Sequence, residues 1–118
     1  MAKRTVKQLV FALVAVAFAF TPLFASYGMT FYESGGNVVC HGGLEKDWPP
    51  NPNYISVDLR IFAPSGQLLA HDAVATGYKP YLHTTIMGPA NESGTYSCVG
   101  EFDDGQSRVI ETYYVDID

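Results

Sequence analysis

The chain has 118 residues, of which 47% are hydrophobic and 16% are charged, and its formal net charge at pH 7 is −5. This length suffices for one small domain with its own core and is too short for two. The acidic balance argues against binding to nucleic acid, whose recognition depends on neutralising phosphates with lysine and arginine, and against binding to anionic lipid surfaces.

The start of the chain has the layout of a secretory signal peptide. Three basic residues precede an unbroken apolar run over residues 9–20, and Ala25 is a small residue suited to cleavage. A membrane anchor is the competing interpretation, but a spanning helix needs about 20 apolar residues and this run is shorter. We therefore predict a signal peptide over residues 1–25 and one domain over residues 26–118, secreted or, in a bacterium, periplasmic.

The predicted mature domain has 93 residues and contains both cysteines, Cys40 and Cys98. It keeps four basic residues against all twelve acidic ones, a formal net charge of −8. In an exported chain an even number of cysteines indicates a disulfide, and here one pairing is available. In the chain-entropy model, closing a loop of this length stabilises the fold by about 4 kcal/mol. A pair of free thiols is the alternative.

Short alternating segments separated by turn signals make up the rest of the chain. Ile55, Val57 and Leu59 fall on one side of an extended segment, with polar residues between them. No helical period competes after residue 26. The predicted strands are 28–32, 37–41, 53–62, 67–75, 81–87, 94–102 and 107–117. Regular short strands of this kind indicate an antiparallel sandwich or barrel.

The last predicted hairpin combines a glycine in its turn with an acidic residue on its inward face. Gly105 is expected to supply a positive φ in a tight turn over residues 103–106. Strict alternation in the last strand then places Glu111 on the inward face with Val109 and Tyr113. Because a carboxylate is costly to bury, we predict a β-bulge near Ile110 or Glu111 that returns this side chain to solvent.

A tyrosine stands two residues before the second cysteine. Since strand residues two apart share a face, Tyr96 points inward if Cys98 does. A buried phenol hydroxyl must find a hydrogen-bond partner. Backbone at the turn just upstream can provide one, because Gly94 allows a close approach. The pattern therefore predicts a tyrosine corner formed by Glu92, Gly94 and Tyr96.

These residues resemble the immunoglobulin superfamily, whose strand F carries Asp-x-Gly/Ala-x-Tyr-x-Cys. Glu92, Gly94, Tyr96 and Cys98 match that pattern, with Glu for Asp, and the segment NVVC ending at Cys40 resembles strand B. The resemblance implies an all-β, immunoglobulin-like antiparallel β-sandwich with one inter-sheet disulfide, of the intermediate or constant type. The segment TFYESGG also resembles the opening of a βγ-crystallin Greek key, in a single copy.

The chain departs from the family at strand C, where a tryptophan usually packs against the disulfide. Trp48, the one tryptophan, follows Cys40 too closely and lies in a proline-rich segment. We expect Ile55, Val57 or Leu59 to take over the packing role. Trp48 itself is expected to be either an exposed anchor for a partner or a lid over the edge of the core.

The sequence contains no catalytic or cofactor motif that we recognise. The predicted disulfide consumes both cysteines, and the histidines show no metal-ligand spacing. His71-Asp72 supplies too few ligands for a metal site, and an acidic hairpin at Asp103 and Asp104 is better explained as a solvated turn than as a weak calcium site. We predict a non-catalytic protein without metal or cofactor. Asn91 begins an Asn-Glu-Ser sequon that is a glycosylation acceptor if the source is a eukaryote.

Binding to another protein is the function that remains. Five side chains are predicted to point outward from one sheet and to form an apolar patch of the kind that marks contact sites: Tyr54, Phe62, Val99, Ile110 and Tyr114. We therefore predict a secreted immunoglobulin-like module for protein recognition or adhesion. The alternatives are a small exported enzyme inhibitor that acts through the Trp48 loop, and a structural protein that self-associates, for example as a homodimer.

Overall fold

The computed structural model describes residues 25–46, 55–77 and 81–118. They form seven strands: β1 (Ala25–Ser34), β2 (Asn37–Lys46), β3 (Ile55–Phe62), β4 (Leu68–Thr76), β5 (Tyr81–Pro89), β6 (Gly94–Asp103) and β7 (Arg108–Ile117). Each predicted strand is present, so the all-β prediction is confirmed. In the described part of the chain no helix is long and apolar enough to cross a membrane. Residues 1–24, Trp48 and Tyr54 lie outside the described residues, and with them nearly all of the predicted signal peptide.

The strands form two antiparallel sheets that pack as a sandwich. One sheet has three strands in the order β1-β2-β5, and the other has four in the order β4-β3-β6-β7. Alternate residues of β3 and β6 are buried between the sheets, as the period of two in the sequence predicts. The largest fully buried side chains come from both sheets and include Phe31, Leu44, Ile55, Leu59, Ile61, Tyr96 and Tyr113.

The first hairpin extends both of its strands beyond their predicted ends. Gly35 and Gly36 have φ angles of 59° and 85° and form the two-residue loop between Ser34 and Asn37. Positive φ at both central positions is the type I′ geometry, whose twist matches that of the flanking strands. The register therefore continues without interruption from the turn to the pair Ala25–Lys46.

The fourth strand lies in a different sheet from the one that a constant-type domain implies. In constant-type immunoglobulin domains the fourth strand extends the first sheet, whereas β4 here pairs with β3. The reason is the short β3–β4 connection, in which Ala63 N–H donates to the Gln67 carbonyl oxygen (2.9 Å) and Gly66 has a φ of 91°. Strands joined by so tight a turn pair with each other, so of the two predicted types, intermediate and constant, the constant type is wrong.

The predicted β-bulge near Ile110 or Glu111 is also wrong. The β6–β7 register is continuous from the pair Gly94–Ile117 to the pair Asp103–Arg108. Glu111 therefore keeps its inward position, where it is partly buried and accepts a hydrogen bond from the Tyr27 hydroxyl at 3.1 Å. This partner, supplied by a strand of the other sheet, removes the need for a bulge.

Candidate functional site

The two cysteines meet at the centre of the sandwich. Cys40 lies on β2 and Cys98 on β6, so they come from opposite sheets, and both side chains are buried as free thiols. The hydrogen bond between them, together with burial, raises the pKa of the Cys40 thiol well above its usual range. The inter-sheet disulfide therefore stays a prediction, with the two sulfurs placed next to each other.

The Tyr96 hydroxyl is held by the backbone of the β5–β6 turn. It accepts a hydrogen bond from the Glu92 N–H at 2.7 Å and donates one to the Glu92 carbonyl oxygen at 2.8 Å. Gly94 has a φ of 131°, a region open to glycine, and a Cβ there would lie 2.9 Å from the Pro64 ring. The side chain of Glu92 takes no part and instead accepts from the Ser65 hydroxyl at 3.3 Å.

Aliphatic side chains fill the place of the missing tryptophan. Ile55, Val57 and Leu59 are all buried on the inward face of β3. Leu59 packs closely over Gly42, where an added Cβ would approach it to 2.8 Å. Since Gly42 lies two residues from Cys40 on the same face, β3 supports the cysteine pair from the opposite sheet.

The outer face of the four-stranded sheet carries a row of aligned side chains that is apolar on three of its four strands. Strand pairing aligns Leu68, Phe62, Ser97 and Tyr114 in that order from β4 to β7. Leu68 is 48% exposed, Tyr114 is 45% exposed, and Phe62 between them is partly buried. We call Leu68, Phe62 and Tyr114 the apolar row, in which the polar Ser97 separates Phe62 from Tyr114.

The remaining residues of the predicted patch lie on the same face at different distances from the apolar row. Val99 is partly buried and occupies the next position along β6, beside Ser97. Ile110 is 56% exposed but lies four residues from Tyr114 along β7. The structure thus brings Phe62, Val99 and Tyr114 together and places Ile110 toward the other end of the strand.

A cluster of charged side chains borders the apolar row. Asp58 on β3 pairs with Arg60 through Arg60 Nε at 3.3 Å and accepts from His71 Nε2 of β4 at 3.0 Å. Arg60 is the same-face neighbour of Phe62 and lies opposite Val99. An apolar centre with a polar border is the arrangement of a typical protein interface.

Sequence reasoning missed Leu68 and the Asp58 cluster. Leu68 and Leu69 are adjacent in the chain, so alternation alone cannot tell which of them points outward. The register shift at Ile61/Phe62 decides it by setting Leu68 opposite Phe62. Leu69 consequently packs inward against Gly88 of β5.

The acidic residues that the sequence singled out serve as hydrogen-bond acceptors. Asp104 accepts from the backbone N–H groups of Gln106 (2.8 Å) and Ser107 (2.7 Å), and Asp103 accepts from that of Gly105 (2.8 Å). Gly105 has a φ of 89°, which confirms its predicted role in the hairpin. The carboxylates stabilise the turn through these contacts, which are those of Asx turns.

His71 and Asp72 point in opposite directions. His71 lies on the outer face with Asp58, whereas the Asp72 carboxylate accepts from the Thr84 hydroxyl of β5. Adjacent strand residues diverge in this way and cannot chelate one ion. Within residues 25–46, 55–77 and 81–118, no three histidine, cysteine or acidic side chains are grouped as metal ligands would be.

Asn91 is exposed in the turn between β5 and β6. Its side chain is therefore accessible to a glycan, at the end of the sandwich where the Tyr96 hydroxyl is hydrogen-bonded to the backbone of this turn. This turn lies against the β3–β4 connection that follows Phe62, since the Ser65 hydroxyl donates to the Glu92 carboxylate.

The outer face of the three-stranded sheet is more polar. His41 at its centre is hydrogen-bonded to the Tyr32 hydroxyl (2.9 Å) and to the Thr85 hydroxyl (2.7 Å). Met87 is 57% exposed there, next to the nearly buried Val39. Because the polar groups at its centre already bind one another, this face is the weaker candidate for contact with a partner.

No protein-family model matches the chain, and no curated protein matches it. Among solved structures, the chain is similar to part of a protein from Bacteroides fragilis assigned as a beta-galactosidase, with 14% identity and a TM-score of 0.47 over 73% of this chain. The chain spans 15% of that protein's length. It is also similar to the C-terminal domain of Wzt, with 8% identity and a TM-score of 0.39, covering 98% of this chain and 77% of the other.

Proposed function

We propose that this chain is a secreted, non-catalytic, immunoglobulin-like domain that recognises another protein through the outer face of its four-stranded sheet. The observation that carries the proposal is the apolar row, in which Leu68 and Tyr114 are about half exposed on either side of Phe62. Several apolar side chains grouped on an open sheet face mark contact sites. Tyrosine in particular contributes much of the binding energy at the centres of interfaces.

The Asp58–Arg60–His71 cluster supports recognition of a protein surface in particular. Its charged groups lie at the border of the apolar row and are partly exposed, so they can exchange hydrogen bonds with a partner without being fully desolvated. Charged groups at such a border mainly affect association rate and specificity. The partner's complementary surface is therefore expected to combine an apolar centre with both signs of charge.

Affinity capture with the exported protein from its native medium tests the proposal. Tyr114→Asp places a carboxylate in the apolar row and is expected to reduce recovery of the partner at least tenfold, the loss typical of a central interface residue. Met87→Asp is the matched control, because Met87 is similarly exposed on the opposite face of the sandwich. It is expected to leave recovery unchanged.

A third variant separates the sheet-face proposal from the enzyme-inhibitor alternative. Trp48→Ala alters a residue outside the described ones and is expected to bind the partner as the unmodified protein does. Full binding by Tyr114→Asp with loss of binding by Trp48→Ala would refute the sheet-face proposal. Such a result would favour an inhibitor that acts through the Trp48 loop.

A further inference from the structure

β7 presents an open edge whose protection against pairing is limited to three charged residues, of which Glu111 points inward. It is the last strand of its sheet, and its outer side has no hydrogen-bonded neighbour among the described strands. Its ten residues contain no proline, glycine or lysine, and its register with β6 has no bulge. Natural proteins usually protect edge strands with such features because an open edge pairs readily with another strand.

The other edge strands are less suited to pairing. The β3–β4 pair contains the register shift at Ile61/Phe62, and Asp72 of β4 turns its carboxylate toward β5. β5 ends in Gly88 and Pro89, and a proline cannot donate to a ladder. β1 contains Gly28, and a glycine in its interior weakens a strand, while its one charged residue, Glu33, leaves it without a pair of opposite charges.

We propose that a second copy of this chain pairs antiparallel with β7 about a twofold axis at Thr112. In this register Arg108 lies opposite Asp116 of the second copy, Ile110 lies opposite Tyr114, and Thr112 lies opposite its own counterpart. All of these residues are on the outer face of the sheet. Opposite charges, apolar pairs and threonine pairs are the cross-strand combinations that stabilise antiparallel strands.

The neighbouring registers are unfavourable. An axis at Glu111 would oppose two glutamates, and like charges directly opposite each other destabilise a sheet. An axis at Tyr113 would set Ile110 opposite Asp116. An axis midway between two neighbouring residues would shift the pairing by one position. It would place inward side chains opposite outward ones, because the strand period is two. The sequence of β7 is thus self-complementary about Thr112 in particular.

The contacts already made within the chain are compatible with this pairing. Arg108 is 3.7 Å from Glu101, and Asp116 accepts from the Thr95 hydroxyl at 2.7 Å. An arginine has five N–H donors and a carboxylate has about four acceptor positions, so both groups can bind a further partner. The inward Glu111 is held by the Tyr27 hydroxyl of its own chain.

The pairing goes beyond the proposed function, since it concerns the edge of the sheet and not its face. It would join two four-stranded sheets into one continuous sheet of eight strands. The pairs between Ile110 and Tyr114 would then connect the two apolar rows, so the dimer would present one larger face with twofold symmetry. A partner with two copies of the complementary surface would bind this face with higher avidity.

Solution mass and cysteine crosslinking test the register. The exported protein is expected to change from monomer to dimer mass between about 1 μM and about 1 mM, the range expected for a weak interface. Under oxidation Thr112→Cys is expected to crosslink to its counterpart, because residues directly opposite lie about 4.5–5.5 Å apart. Ile110→Cys is the matched control, since its counterpart would be about 13 Å away.

A charge exchange provides an independent check. Arg108→Asp alone sets an aspartate opposite Asp116 at both ends of the paired strands and is expected to weaken dimerisation at least tenfold. Arg108→Asp combined with Asp116→Arg restores opposite charges at both positions and is expected to restore dimerisation. Circular dichroism verifies that each variant is folded. A monomer mass over the whole concentration range, or crosslinking of Ile110→Cys as efficient as that of Thr112→Cys, would overturn the proposal. Neither outcome depends on the partner of the apolar row. Because Tyr114 belongs to both surfaces, Leu68→Asp on β4, at the other edge of the sheet, is the variant that tests the proposed function separately.

Discussion

At the scale of single residues, two buried tyrosines differ in how their hydroxyl groups are satisfied. Tyr96 and Tyr113 lie on the neighbouring strands β6 and β7, point into the same core and are fully buried. The Tyr96 hydroxyl has two hydrogen bonds with the backbone of Glu92. The Tyr113 hydroxyl has no partner among the described residues. An unpartnered buried polar group costs about 1–3 kcal/mol, so the same atom stabilises at one position and destabilises at the other.

Removal of these hydroxyl groups is expected to have opposite effects. Tyr96→Phe leaves the Glu92 N–H and carbonyl without their partner and is expected to lower the free energy of unfolding by about 1–3 kcal/mol. Tyr113→Phe removes an unpartnered group and is expected to be neutral or to stabilise by up to about 2 kcal/mol. Urea denaturation of both variants at pH 7 provides the measurement, and equal losses in the two would contradict the assignment.

The alkaline limit of stability is expected to depend on Tyr113. Burial raises the pKa of its hydroxyl from 10.0 to about 12, with the nearby Glu111 and Cys40 contributing. The unfolded chain releases this proton near pH 10, whereas the folded chain retains it. The contribution of this group to the free energy of unfolding is therefore fully present below pH 10 and is lost as pH rises to about 12. Tyr113→Phe is expected to reduce this loss between pH 10 and pH 12. If denaturation experiments show the same pH dependence in Tyr113→Phe and in the unmodified protein, the Tyr113 hydroxyl is not the cause of the alkaline loss of stability.

At the scale of elements, β6 carries a glycine where its alternation requires an inward side chain. Gly100 stands between Cys98 and Phe102 on the buried face. The space above it is occupied by the Met29 sulfur and the Phe102 ring, which would lie 2.5 Å and 2.9 Å from an added Cβ. Met29 comes from β1 of the other sheet, so this position sets how closely the two sheets pack.

Alanine at position 100 is therefore expected to destabilise the sandwich. Gly100→Ala forces Met29 or Phe102 to move within a packed core, and overpacking of this kind costs about 1–3 kcal/mol. Gly28→Ala on β1 is the matched control, because a Cβ there meets nothing within 4 Å. We expect thermal unfolding to show a lower midpoint for Gly100→Ala alone. A lowered midpoint in both variants would point to strand propensity and not to packing.

At the scale of the whole molecule, Cys40 and Cys98 lie where a bond would join the two sheets directly. The loop between them contains β3 and β4 of the four-stranded sheet and β5 of the three-stranded sheet. A crosslink here restricts most of the unfolded chain, which is the basis of the roughly 4 kcal/mol of stabilisation in the chain-entropy model. Against a typical net stability of about 5–15 kcal/mol, this is a large part of the total.

We predict that the exported protein contains this disulfide. Its intact mass is expected to be lower by two hydrogen atoms than that of the reduced protein. Reduction is expected to lower the free energy of unfolding by about 4 kcal/mol, measured by denaturation with and without reductant. Cys40→Ala with Cys98→Ala is the control, since its stability should not respond to reductant. Two free thiols in the exported material would contradict the prediction.

The sequence by itself determined the local features of this protein. Alternation identified the seven strands, and glycine in the turn identified the hairpin at Gly105. It also placed Phe62, Val99, Ile110 and Tyr114 on one outer face. These features follow from the period of two and from φ preferences, which act within a few residues along the chain.

Only the tertiary structure decided the features that depend on contacts between distant strands. The short connection after Ala63 placed β4 beside β3, and the register shift at Ile61/Phe62 turned Leu68 outward. The Tyr27 hydroxyl allowed Glu111 to face inward without a bulge. A carboxylate's environment and a strand's neighbour are properties of the assembled sheets, because the atoms that determine them come from parts of the chain up to 84 residues apart.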